Sequence, residues 1–136
     1  MHQLLQYDSI GMFIIKKEII KLAQNPILLY LVYPIISMEE KIIHIGSRTN
    51  LLGENPKEDE IYLFSNEKCV NKETSPTFIV HANDDKIVSV KNSIHYFLSL
   101  HEQNIPVESY IYEKGRHVFG LIKNDKTNQH GIMRVK

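Results

Sequence analysis

Three residues of this chain are of the types that carry acyl transfer, and they stand in a workable order: Ser9, Asp85 and His117. A serine hydroxyl attacks an ester only when a base removes its proton. Histidine does this near neutral pH, and a carboxylate holds the ring in one tautomer and steadies the imidazolium. In hydrolases built on open sheets the chain runs nucleophile, acid, histidine, which is the order here. Asp85 closes the segment Thr77-Phe78-Ile79-Val80-His81-Ala82-Asn83-Asp84-Asp85, and His117 lies in Gly115-Arg116-His117-Val118-Phe119-Gly120. Acid and histidine are 32 residues apart, room for one helix and one strand.

Each of these residues also has a plainer reading. Acidic residues such as Asp84 and Asp85 commonly cap the loop after a strand. Ser9 is a good helix N-cap. A nucleophile elbow reads Gly-x-Ser-x-Gly, because small residues let the tight strand-to-helix turn approach its neighbours. Tyr7-Asp8-Ser9-Ile10-Gly11 keeps the second glycine and puts tyrosine at the first.

Other chemistries find less support. The seven histidines show no His-Glu-x-x-His or paired Cys/His spacing, so neither a metal nor a cofactor is expected. Cys69 falls in a polar segment away from any elbow, and Gly46 and Gly53 form no phosphate loop. Tyr30, Tyr33, Tyr96, Tyr110 and Tyr112 fall in strands and a helix and read as packing residues.

The elements that must position these groups follow from periodicity. Leu4-Leu5-Gln6-Tyr7 is a short apolar run, and Ile10, Phe13, Ile14, Lys17, Ile20 and Lys21 follow helical spacing until Gln24-Asn25-Pro26. Ile27–Tyr33 is continuously apolar, as a strand buried on both faces should be, and Pro34 ends its ladder. Gly46, Asn50, Gly53 and Asn55 make 42–55 read as loop. Pro56 with Glu58, Asp59 and Glu60 starts a short helix to about Phe64, and 66–75 is polar loop.

Thr77–His81 is the next strand. Ile94, Phe97, Leu98 and His101 share one face of a helix over Val90–Gln103, with Asn104 as its C-cap. Val107–Tyr112 is a less buried strand, and the tail from Asn124 is polar. Strands alternating with helices build a parallel sheet, and ligands then sit beyond the carboxyl ends of its strands. Ser9, Asp85 and His117 all fall after strand ends.

Composition sets the outer bounds. The 136 residues make one domain, with 43% apolar and 24% charged residues, as in ordinary globular proteins. Sixteen basic residues balance sixteen acidic ones, which argues against a nucleic-acid partner. Pro26–Met38, the longest apolar stretch, is broken by Pro34 and too short to cross a bilayer. Met1-His2-Gln3 opens no cationic and apolar leader, and one cysteine allows no internal disulfide, so a cytoplasmic setting is expected.

Several segments together carry a resemblance. Leu31-Val32-Tyr33-Pro34-Ile35-Ile36-Ser37-Met38, His44-Ile45-Gly46-Ser47-Arg48-Thr49-Asn50-Leu51-Leu52-Gly53-Glu54-Asn55-Pro56, Phe64-Ser65-Asn66-Glu67-Lys68, 76–90 and Tyr112-Glu113-Lys114-Gly115-x-His117-x-Phe119-Gly120-Leu121 resemble acetyl xylan esterase-like α/β hydrolases. That group is related to the dienelactone hydrolase and prolyl oligopeptidase-type clans, and the likeness covers about residues 30–121. It implies a partial α/β-hydrolase fold, with a mostly parallel sheet of about four strands flanked by helices. It also implies a cofactor-free esterase that removes acetyl groups from acylated sugars.

By motif position Asp85 and His117 match the family's acid and base. Asp85 is preferred over Asp84 because it stands four residues before Ser89, where similar enzymes read Asp-x-x-Val-Pro. The departures are Tyr7 at the elbow glycine, Ser89 for a proline, and Arg116 and Val118 for small residues beside the histidine. No His-Gly-Gly oxyanion segment precedes the elbow, so the chain resembles the C-terminal part of such an enzyme.

Three functions follow as expectations. The first is an esterase fragment with little activity alone, since losing one oxyanion donor lowers turnover about 10²–10³-fold. The second is an active small hydrolase in which Ser9 works and a partner subunit completes the pocket, and the third a non-enzymatic interaction module. An open outer sheet edge would further favour self-association.

Overall fold

The computed structural model describes residues 28–117. The apolar run at 4–7, the helix expected from Ile10, Ser9 and the polar tail lie outside the described residues. Within them, strand β1 (Leu29–Val32) leads through helices α1 (Ile45–Leu52) and α2 (Glu58–Phe64) to strand β2 (Thr77–Ala82). Helix α3 (Lys91–Glu102) and strand β3 (Val107–Tyr112) complete the order. The sheet runs β1-β2-β3, all parallel, with Leu31 opposite Ile79 and Ile79 opposite Ser109.

β2 is central, and its burial on both faces explains its mostly apolar composition, which only Thr77 and His81 interrupt. Leu31 and Ile79 pack with Ile36, Tyr96 and Leu100 into one core cluster, where each fully buried aliphatic chain contributes about 1.5–3 kcal/mol. Val80 and Ala82 pack with Tyr33, Val32, Phe78 and Tyr112 in a second cluster. β3 alternates half-buried and exposed residues, in keeping with its expected lower burial.

Two expectations are corrected. Residues 42–55 are not all loop, because Ile45–Leu52 is a helix. Its punctuation residues stand at its ends. His44 caps the start, its Nδ1 accepting from the Ser47 amide, and Gly46 falls in the first turn, where amides lack helical partners anyway. Gly53, at φ 84°, stops the helix in a conformation that favours glycine.

The second correction concerns α3. Its buried residues are Asn92, Ser93, Tyr96 and Leu100, whereas Ile94, Leu98 and His101 are exposed. The buried stripe starts with two polar residues, so hydropathy alone aims the helix wrongly. Asn104 sits one position past the cap at φ 58°. Its amide bonds His101 O at 3.0 Å and the Ile105 amide bonds Leu100 O at 2.9 Å, which is a Schellman ending.

Asn92 explains why a polar residue belongs inside. Its Oδ1 accepts from the Ile36 and Ser37 amides at 2.9 and 3.0 Å. Its Nδ2 donates to Ile42 O and Ser89 O at 3.0 and 3.1 Å. The loop after β1 is thereby clipped to the start of α3. Ser65 adds a second clip, accepting from the Met38 amide at 3.0 Å and donating to Ile61 O at 2.7 Å.

Candidate active site

The turn after β2 and the loop after β3 meet at the carboxyl end of the sheet. The Asn83 amide bonds Tyr112 O at 2.7 Å, joining the two strand ends. The adjacent acids then divide the work. Asp84 Oδ1 accepts from the Gly115 and Arg116 amides at 2.8 and 2.7 Å, which anchors the histidine loop. Those amide bonds, led by the one from Arg116, outweigh partial desolvation and hold the Asp84 carboxyl below its usual range. Arg116 itself is at φ 57°, a left-handed conformation that favours glycine over a residue with a side chain.

Asp85 points inward. Its side chain is 0% exposed, and each oxygen takes two hydrogen bonds. Oδ1 accepts from the Ile87 and Val88 amides at 2.9 and 3.0 Å. Oδ2 lies 2.7 Å from His117 Nδ1 and 3.2 Å from His81 Nε2. Burial alone would raise the Asp85 pKa, but the bond from His117 and the Val88 and Ile87 amides more than offset it, and the net direction is down. The group is a carboxylate at neutral pH.

A carboxylate accepts only, so His117 Nδ1 carries a hydrogen, and it is Nε2 whose lone pair is available in the neutral form of the ring. The His117 side chain is 20% exposed, leaving the ring reachable from outside. Tyr33 closes another side, its ring centroid 4.7 Å from that of His117 and tilted by 57°. Tyr33 is buried at φ 42° just before Pro34, where an extended backbone would be normal. Such a conformation costs about 1–2 kcal/mol, and packing in the second core cluster offsets it.

The sequence singled out Asp85 and His117, and the structure brings their side chains together. Ser9 lies outside the described residues. His81 was not singled out at all, while Asp84 was read only as capping a loop and Tyr33 only as a packing residue. His81 had a signal, a titratable residue inside the apolar run Phe78-Ile79-Val80-His81-Ala82. Among the described residues, no group of three or more His, Cys, Asp or Glu is placed to hold a metal ion.

Comparison with known proteins bears on the family and the fold. The sequence pattern of the prolyl oligopeptidase family matches residues 24–134. Endo-1,4-beta-xylanase B of Butyrivibrio fibrisolvens is 38% identical over 95 residues, 69% of this chain and 14% of that protein. The acetylxylan esterase of Xylanibacter ruminicola is 36% identical over 95 residues, 67% of this chain and 20% of that protein. A solved structure, the acetyl ester-xyloside bifunctional hydrolase from Caldicellulosiruptor lactoaceticus, matches with a TM-score of 0.67 at 38% identity. That match covers 69% of this chain and 34% of the solved one. The chain thus spans a fifth or less of the two sequence relatives and about a third of the structural one.

Proposed function

The chain belongs to the prolyl oligopeptidase family and carries part of an α/β-hydrolase fold, and from that premise we propose that it serves a carboxylic-ester hydrolase acting on acetylated sugars. His117 is the general base and acid, and Asp85 fixes its tautomer. The observation that carries this reading is the 2.7 Å bond from His117 Nδ1 to a buried carboxylate whose other oxygen is already held by two amides. The nucleophile is proposed to be Ser9, by chain order and by its place before Gly11.

In this reading His117 Nε2 takes the serine proton as the hydroxyl oxygen attacks the acetyl carbonyl. The imidazolium so formed is steadied by Asp85, and it returns the proton to the departing sugar oxygen. Water then repeats the cycle and releases acetate. The sugar class rests on the names of the relatives, an acetylxylan esterase and an acetyl ester-xyloside hydrolase.

Turnover of an activated acetyl ester and of acetylated xylo-oligosaccharides tests the proposal. Ser9→Ala and His117→Ala should each remove it, by about 10³-fold or more. No turnover of either ester by the unaltered chain at high concentration, or turnover that survives His117→Ala, would sink it. If Ser9→Ala alone keeps full activity, the nucleophile is another residue.

A further inference from the structure

Asp85 Oδ2 receives two imidazoles at once. Besides His117 at 2.7 Å, it has His81 Nε2 at 3.2 Å, and that same nitrogen lies 3.0 Å from the Val88 carbonyl oxygen. Carboxylate and carbonyl are both acceptors, so His81 Nε2 must carry a hydrogen shared between them. The opposite ring nitrogen, Nδ1, stands 2.7 Å from Ser93 Oγ. If the ring is neutral, Nδ1 accepts and the serine hydroxyl donates. The side chain is 0% exposed, and desolvation pushes its pKa down against the pull of the Val88 carbonyl and Asp85, which keeps it neutral.

Packing alone does not call for a histidine here. The flanking Ile79, Val80 and Ala82 are buried and apolar, and a polar ring among them is tolerable only because both nitrogens are satisfied. The two amides that hold Asp85 Oδ1 leave Oδ2 to be aimed by whatever else donates to it.

We propose that His81 is a positioning residue for the Asp85–His117 pair: a buried neutral imidazole, locked by Ser93, whose Nε2–H steers Asp85 Oδ2 onto His117 Nδ1. The inference rests on Asp85 and His117 acting as acid and base. Neutrality is part of the device. A dipole orients the carboxylate and leaves its charge available to the His117 imidazolium, whereas a second cation at that distance would compete for it. The other acid at this turn, Asp84, faces the Gly115 and Arg116 amides and does not enter the contact.

Nitrogen-15 histidine spectra of the full chain give the test. In the unaltered protein, His81 should show the neutral Nε2–H pattern through the neutral pH range. His117 should show a downfield Nδ1–H signal that exchanges slowly with solvent. His81→Phe keeps bulk and removes both donors and acceptors. With the backbone spectrum otherwise native, it should speed exchange of the His117 signal about tenfold or more, the weight of one hydrogen bond to a charged acceptor.

His81→Gln returns a donor near the Nε2 position and should recover most of that protection, a rescue that a purely space-filling role would not produce. Exchange unchanged in the phenylalanine variant, or a His81 ring found as the Nδ1–H tautomer, overturns the proposal. If the phenylalanine variant loses the native spectrum, Ser93→Ala decides. It keeps the ring and its Nε2–H but removes the hydroxyl that locks the ring in place, so faster His117 exchange supports the positioning role and unchanged exchange overturns it. Acetyl-ester turnover separates the two readings. A chain that shows both signals yet no turnover loses only the esterase function, and turnover that His81→Phe leaves intact removes only the positioning role.

Discussion

Two loops leave the carboxyl ends of neighbouring strands, and α3 pins both with adjacent residues. Asn92 holds the loop after β1 through three hydrogen bonds to its backbone, with a fourth to Ser89 O, all of them neutral. Ser93 holds the turn after β2 through His81, which in turn contacts Asp85 and, through it, His117. Both networks are buried and both are satisfied, so polar burial by itself does not mark a site. What separates them is that only the second consists of groups that titrate and ends at a ring with one side open to solvent. The first is a clip, and the second is a clip that can move a proton.

The sharpest way to break that contrast is to exchange the acids. Asp85→Asn should lower acetyl-ester turnover about 10⁴-fold, because an amide no longer fixes the histidine tautomer. Asp84→Asn retains an oxygen for the Gly115 and Arg116 amides and should leave turnover within a few-fold, about the effect of a loop anchor kept in place. Equal losses in the two variants would remove the division between them, and steady-state kinetics on one ester suffices.

On the neutral side, Asn92→Ala strips four hydrogen bonds, three of them buried, and leaves backbone partners unpaired, an expected loss of about 3–4 kcal/mol. Denaturant titration at several pH values should show the same loss at each, since nothing in that clip ionises. A loss that changes with pH would tie the two networks together.

The smallest expected effect is the pH dependence of the titratable network. His81 has a lowered pKa in the fold, so the unfolded chain binds its proton more readily. Its contribution is complete above the unfolded value, about pH 6.5, and declines as pH falls below it. Asp85, also lowered, adds a second decline beginning below its ordinary value of 3.8. Thermal midpoints should therefore fall between pH 7 and 5 in the unaltered chain, and much less in His81→Phe. A flat profile in the unaltered chain would contradict the buried neutral histidine.

Much of the scaffold was legible beforehand. β2 and β3 declared themselves by continuous or alternating apolar residues, and α2 by its acidic first turn. α1 did not, because an eight-residue helix bracketed by Gly46 and Gly53 has the composition of a loop. The packed face of α3 was misaimed for a related reason. Asn92 and Ser93 are buried for their hydrogen bonds, and a hydropathy stripe does not register that motive.

By itself the sequence determined the alternation of strand and helix, and with it that an acid and a histidine would arrive at the same end of a parallel sheet. Local periodicity suffices for that, since each element's spacing is written in its own residues. The resemblance already favoured Asp85 over its neighbour, but only the tertiary structure decided how the two acids divide between His117 and the loop. The fold does this through the tight turn after β2, in which Asp84 lies inside the turn and the Asp85 amide closes it on Ala82 O at 3.2 Å, so that Asp84 meets the loop backbone and Asp85 the ring. It likewise decided that His81 reaches the same oxygen, because that contact depends on a turn bringing residue 85 back over residue 81, and on Ser93 closing from another element.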